Sequence, residues 1–161
     1  MTGAVPFIEA GDTDAVADVA AAAAADLCLI ARLHDREPDA TLVGALAEQP
    51  ATDWLALRLD GDGLATGLAL MSRALDELGR PPSPTDLDRL AAAYADIYLT
   101  HGLRLAPNES VWLTEDRLER QEPMFEVRRW YAHHGIAAPD WRVRADDHLV
   151  HELQFVARLI G

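Results

Sequence analysis

Lysine is missing from this chain. All 14 basic residues are arginine, set against 27 Asp and Glu, for a formal net charge of −13 over 161 residues. Without lysine there is no Gly-Lys-Ser/Thr phosphate loop, and such a surplus of acid argues against nucleic acid, whose phosphates demand clustered positive charge. Cysteine is nearly as scarce: Cys28 stands alone, which excludes an intrachain disulfide and thiolate zinc sites and fits a reducing compartment. Residues 1–12 carry no Lys or Arg, so the positively charged start of a secretory signal is missing. No apolar run reaches the roughly twenty residues of a membrane span. The nearest candidate, Ala15 to Ala31, is interrupted by Asp18 and Asp26 and reads as a buried bundle helix. The expectation is a cytoplasmic protein without membrane insertion.

Half of the residues are apolar, enough for one domain with a core, and the whole chain 1–161 is read as a single unit. Strand-like alternation is nearly missing and helical periodicity dominates. A first helix, capped by Asp12 or Thr13, runs through the Ala-rich stretch to about Arg32, where alanine gives propensity but little packing volume. A short helix near Thr41 to Glu48 and another from about Leu64 to Leu78 follow. Ser83-Pro-Thr-Asp86 is a strong helix start, with Ser as cap, Pro at the first helical position and Asp three residues on. That helix carries Leu87, Leu90, Ala91, Tyr94, Ile97 and Tyr98 on one face and stops at Gly102. Thr114 to about His134 forms the next helix, closed by Gly135. The last begins near Ala145, with Leu149, Leu153, Val156 and Ile160 on one face. Trp54 to Leu59, ahead of Asp60-Gly-Asp-Gly63, reads either as a strand and tight turn or as an irregular or helical segment; a lone strand has no partner. The fold class is therefore all-α, a bundle of about six helices.

His148, His151 and Glu152 crowd onto one stretch of the final helix beside Asp147, and residues three or four apart share a helix face. One reading is a small helical metalloprotein or hydrolase; the plainer one is polar groups near a helix start. A di-metal bundle would ordinarily present Glu-x-x-His from two helices, a spacing this chain lacks. Asp146 and Asp147 suit a first helical turn, where unpaired N–H groups and the helix dipole stabilise carboxylates. In a binding reading, one of the two aspartates also orients His148, which with Glu152 anchors an arginine-bearing peptide. Trp112, Tyr98 and Pro107 would line an apolar groove, against the alternative of core packing. Gly61-Asp-Gly-Leu-Ala-Thr-Gly67 has one residue too many for a dinucleotide loop, and G-x-S-x-G is missing. Nothing here argues for catalysis or a bound cofactor.

Leu105-Ala-Pro-Asn-Glu-Ser-Val-Trp-Leu113 and Asp146-Asp-His-Leu-Val-His-Glu-Leu-Gln-Phe155 together resemble the two signature stretches of the TorD/DmsD family of redox-enzyme maturation chaperones. The resemblance covers roughly residues 84–158, taking in Tyr94-Ala-Asp-Ile-Tyr98 and Phe125-Glu-Val-Arg-Arg-Trp-Tyr131. Thr100-His101 and Arg144-Ala145 depart from the family's usual Gly-Pro and Glu-Pro. The resemblance implies a helical bundle that binds the twin-arginine signal peptide of a molybdoenzyme catalytic subunit and guards the apo enzyme during cofactor insertion. With the residue readings above it makes Tyr98, Pro107, Ser110, Trp112, Asp147, His148 and Glu152 the peptide-binding candidates. Proteins of the family usually continue with further helices beyond the apolar run Phe155 to Ile160. A homodimer, by element exchange, or a shortened product is therefore expected.

Overall fold

The computed structural model describes residues 13–57, 62–100 and 105–161. Helices account for the regular structure there: α1 (Thr13–Asp35), α2 (Ala40–Ala47), α3 (Asp62–Asp76), α4 (Pro84–Tyr98), α5 (Glu109–Leu113), α6 (Glu122–His133) and α7 (Leu149–Ile160), with a 3-10 turn at Ala51–Asp53. No strand occurs among the described residues; a single antiparallel bridge joins Asn108 and His148. The all-α expectation holds.

The most extensive helix pair is α1 with α7. Small alanine side chains let the two approach closely: Ala31 and Ala157 are buried between them, and an added Cβ at Gly161 would lie 2.9 Å from the Ala24 Cβ. Bulk comes from elsewhere, with Val150, Met124 and Tyr131 among the buried apolar residues. The buried stripe of α7 runs through Val150 and Ala157, whereas Val156 and Ile160, expected on the inner face, are exposed. Asp26, which seemed only to interrupt the Ala-rich run, is buried and its carboxylate accepts the backbone N–H groups of Ala56 (2.7 Å) and Leu57 (2.8 Å). That pairing satisfies a buried charge and ties an irregular segment to α1. Trp54 closes the 3-10 turn, its indole donating to the Leu46 carbonyl at 2.9 Å, so residues 54–57 form no strand. The rest of that stretch, 58–61, lies outside the described residues, as do Asp12 and Gly102.

Two helix boundaries differ from expectation. The helix expected over 114–134 is shorter: residues 114–121 form a non-helical connection in which Arg117 and Arg120 take positive φ, α6 starts only at Glu122 with Pro123 in its first turn, and the short α5 (109–113) lies before the expected start. Proline there costs no hydrogen bond but bars continuation from upstream. Gly135 ends α6 with φ of +69°, as the sequence indicated. The last helix begins at Leu149, four residues later than expected, because Asp146 and Asp147 form a turn ahead of it rather than its first turn.

Candidate functional site

The two signature stretches meet. Glu109 donates its backbone N–H to the Asp147 carbonyl (3.0 Å), and Leu149 donates to the Pro107 carbonyl (2.7 Å), one bond on each side of the Asn108–His148 bridge. Asp147 is fully buried at this junction; its Oδ2 accepts the backbone N–H of Ser110 at 2.8 Å and the Ser110 hydroxyl. Ser110, equally buried, also accepts the Thr114 hydroxyl on its carbonyl at 2.7 Å. Asp146 faces the other way, its carboxylate bonded to the Arg128 Nε and its carbonyl accepting the Tyr131 hydroxyl at 2.9 Å. Two adjacent aspartates thus fasten α5 and α6 to the start of α7.

His148 caps α7: its Nδ1 accepts the Val150 N–H at 3.1 Å, which requires an unprotonated ring. Its environment agrees. Burial, helped by Arg144 and His151, pulls the His148 pKa down to about 4. His151 is also held below the usual histidine value, chiefly by burial.

Two concavities flank the ridge formed by Pro107 and Asn108. On one side a cavity of about 460 Å³ is lined by Tyr94, Tyr98, Pro107, Arg144, His148 and His151, among others. Its aromatic wall is positioned from α1, since Tyr94 donates to the Asp35 carbonyl (3.0 Å) and Tyr98 is hydrogen-bonded to His34. Arg144 bonds both the carboxylate and the carbonyl of Asp35. On the other side a pocket of about 300 Å³ lies between Ala106, Glu109, Trp112, Leu113, Leu149 and Glu152. Trp112 is 61% exposed, with its ring fixed by a 2.8 Å bond from the indole N–H to the Ala106 carbonyl. Glu152 Oε1 is shielded from solvent without a hydrogen-bond partner, and burial, with the neighbouring Glu109 and Asp147 carboxylates, raises its pKa to about 7.

The seven residues singled out in the sequence therefore share one junction but divide by position. Tyr98 and His148 line the first concavity, Trp112 and Glu152 the second, Pro107 both, and Asp147 with Ser110 lie inside, holding the loop to the helix. Sequence reasoning passed over Asn108, Glu109 and Arg144. Asn108 and Glu109 stand inside the proline-loop motif, where a polar residue after proline signals turn chemistry; nothing local marks Arg144, whose partner Asp35 is 109 positions away. The metal reading has no ligand set to stand on: no three His, Cys, Asp or Glu side chains among the described residues converge on one point. His148 and His151 face one concavity while Glu152 faces the other.

An all-α protein with a buried aspartate knot between two concavities, each with an aromatic lining and the smaller one acidic, is thereby defined. A family model described as nitrate reductase delta subunit matches residues 61–161. The match spans more than half of the chain, from α3 to α7, and the chain belongs to that family, a family of molybdoenzyme maturation chaperones. No curated protein and no solved structure matches. No helix of the described residues is long and apolar enough to cross a membrane.

Proposed function

We propose that this chain is a cytoplasmic chaperone that binds the twin-arginine signal peptide of a molybdenum-cofactor oxidoreductase and shields the apo enzyme until its cofactor is inserted. The observation that carries this reading is the pair of concavities that meet at Pro107, one with Glu109, Glu152 and Trp112 and the other with Tyr94 and Tyr98, which suits an extended segment laid across them. Such a segment is basic at one end and apolar after it. The net charge of −13 favours its approach at low salt, and covering its apolar stretch keeps the client from aggregating. Asp147 and Ser110 serve by setting the shape of the ridge. The partner is the client's catalytic subunit; no cofactor is assigned to the chaperone itself.

Calorimetry with a synthetic peptide carrying two adjacent arginines and a Leu/Ala-rich stretch tests this. The parent protein should bind it, and Trp112→Ala, with its fold verified by circular dichroism, should weaken binding by at least about 1 kcal/mol, roughly fivefold. Failure of the parent to bind such peptides at any salt concentration would remove the docking reading. We also propose that the chain pairs with a second copy through the apolar residues that α1 and α7 leave exposed.

A further inference from the structure

Glu152 of α7 and Trp112 of α5 line the same small pocket, which brings an acid and an indole within reach of one ligand. Among the described residues that line it there is no arginine or histidine. The acidic groups that act on Glu152 come from both flanking elements: Glu109 at the start of α5 and Asp147 from the turn before α7. Tyr131 of α6 senses the same charge, since Glu152, after burial itself, is the largest influence raising the pKa of its hydroxyl. Beneath this group lies a second unsatisfied acceptor. Asp147 is fully buried and spends Oδ2 on Ser110, while its Oδ1, like Glu152 Oε1, has no hydrogen-bond partner. Buried carboxylate oxygens left unpaired cost free energy unless they are protonated or meet a cation. Trp112, which lines the pocket, is 61% exposed with its indole N–H held on the Ala106 carbonyl, and an indole is the ring over which a flat cation is held best.

We infer that the pocket between α5 and α7 is a one-arginine site, in which a single client guanidinium lies on the Trp112 indole, pairs with the Glu152 carboxylate and drives the carboxyl proton of Glu152 into solvent. The inference rests on the peptide reading above and specifies what that reading leaves open: which groove takes the basic end, how many arginines it takes, and what leaves when the arginine enters. The exchange balances in charge and protons. A neutral carboxyl and a guanidinium become an ion pair, and one proton passes to the buffer. A guanidinium fits this demand better than an ammonium, being planar, more weakly hydrated and able to stack while donating sideways.

The sign of the pH dependence follows. In the free protein Glu152 is largely protonated below about pH 7 and must lose its proton to bind, so affinity should rise with pH and level off above that value. His148, across the Pro107 ridge, is already neutral at pH 6 and has no proton to release.

Calorimetry of the twin-arginine peptide in two buffers of different ionisation enthalpy reads the exchange directly. At about pH 6 the parent should release close to one proton per peptide, and affinity should climb by nearly tenfold per pH unit up to about pH 7. Replacing one of the two peptide arginines by citrulline should abolish proton release, while replacing the other should leave it intact. Glu152→Gln should end proton release and weaken binding at about pH 8 by roughly tenfold, whereas folded Trp112→Ala should bind several-fold more weakly yet still release the proton. Binding without proton release, or release that persists in Glu152→Gln, would overturn this site and leave the peptide reading standing. No binding by the parent at any pH would overturn both.

Discussion

At Asp147 a carboxylate that reads as a peptide anchor is instead enclosed by the fold. Its Oδ2 holds the backbone and the hydroxyl of Ser110, 37 positions away in the chain, so no local signal distinguishes a buried knot from an exposed anchor. The residue types were legible because helix-start aspartates and proline-loop serines are recognisable; their pairing was not, because it is a tertiary contact. The same limit applies to Glu152, whose pocket is completed by Glu109 and Trp112 from another element. The knot has a measurable consequence. Hydrogen bonds to a charged acceptor contribute about 1.5–3 kcal/mol each, and their loss leaves Ser110 donors unpaired in the interior. Asp147→Ala should therefore destabilise the fold by about 3 kcal/mol in urea unfolding, with Asp147→Asn, which keeps an acceptor oxygen, costing less. An unchanged unfolding midpoint for Asp147→Ala, together with lost peptide affinity, would return Asp147 to the role of direct contact.

Helices were legible in proportion to how much of their definition is local. α4 is the clearest: Ser83 accepts the Asp86 N–H at 3.2 Å, Asp86 accepts the Ser83 N–H at 3.0 Å, and Pro84 occupies the first helical position. Those bonds, led by the one from the Ser83 hydroxyl, pull the Asp86 pKa down to about 2. All six residues read as its apolar face are half-buried. α6 and α7 were misplaced at their N-termini for reasons that periodicity cannot carry. Pro123 starts a helix at Glu122 as well as it would interrupt one, and the Asp146-Asp147 turn exists because the chain is stitched to Pro107 and Glu109. Because the α4 cap is local, its effect should be as well. Ser83→Ala removes the hydroxyl acceptor and should lower stability by about 1 kcal/mol, while peptide affinity stays at the parent value. A change in affinity without a change in stability would mean that Ser83 acts on the groove through α4, whose Tyr94 and Tyr98 line it.

Across the whole molecule, the region matching the family begins at residue 61, so α1, the main packing partner of α7, lies outside it. The helices run antiparallel, with Arg144, just before α7, bound to Asp35 at the end of α1, and Gly161 beside Ala24. α1 has 23 residues and α7 has 12. Val16 and Val19 of α1 are exposed, as are Val156, Leu159 and Ile160 of α7. Full burial of an exposed apolar side chain of this size contributes about 1.5–3 kcal/mol, and these five, each part-exposed, forgo a share of it. A second copy brings the same exposed residues, and a two-fold arrangement lets both sets be covered at once. Light scattering over a concentration series should therefore show a dimer, and Leu159→Asp together with Val19→Asp should shift it to monomer while helical content is retained. The double variant should still bind the twin-arginine peptide, because the Pro107 ridge draws on neither patch. A parent protein that stays strictly monomeric at its highest soluble concentration would remove the pairing and leave these apolar residues to the client enzyme.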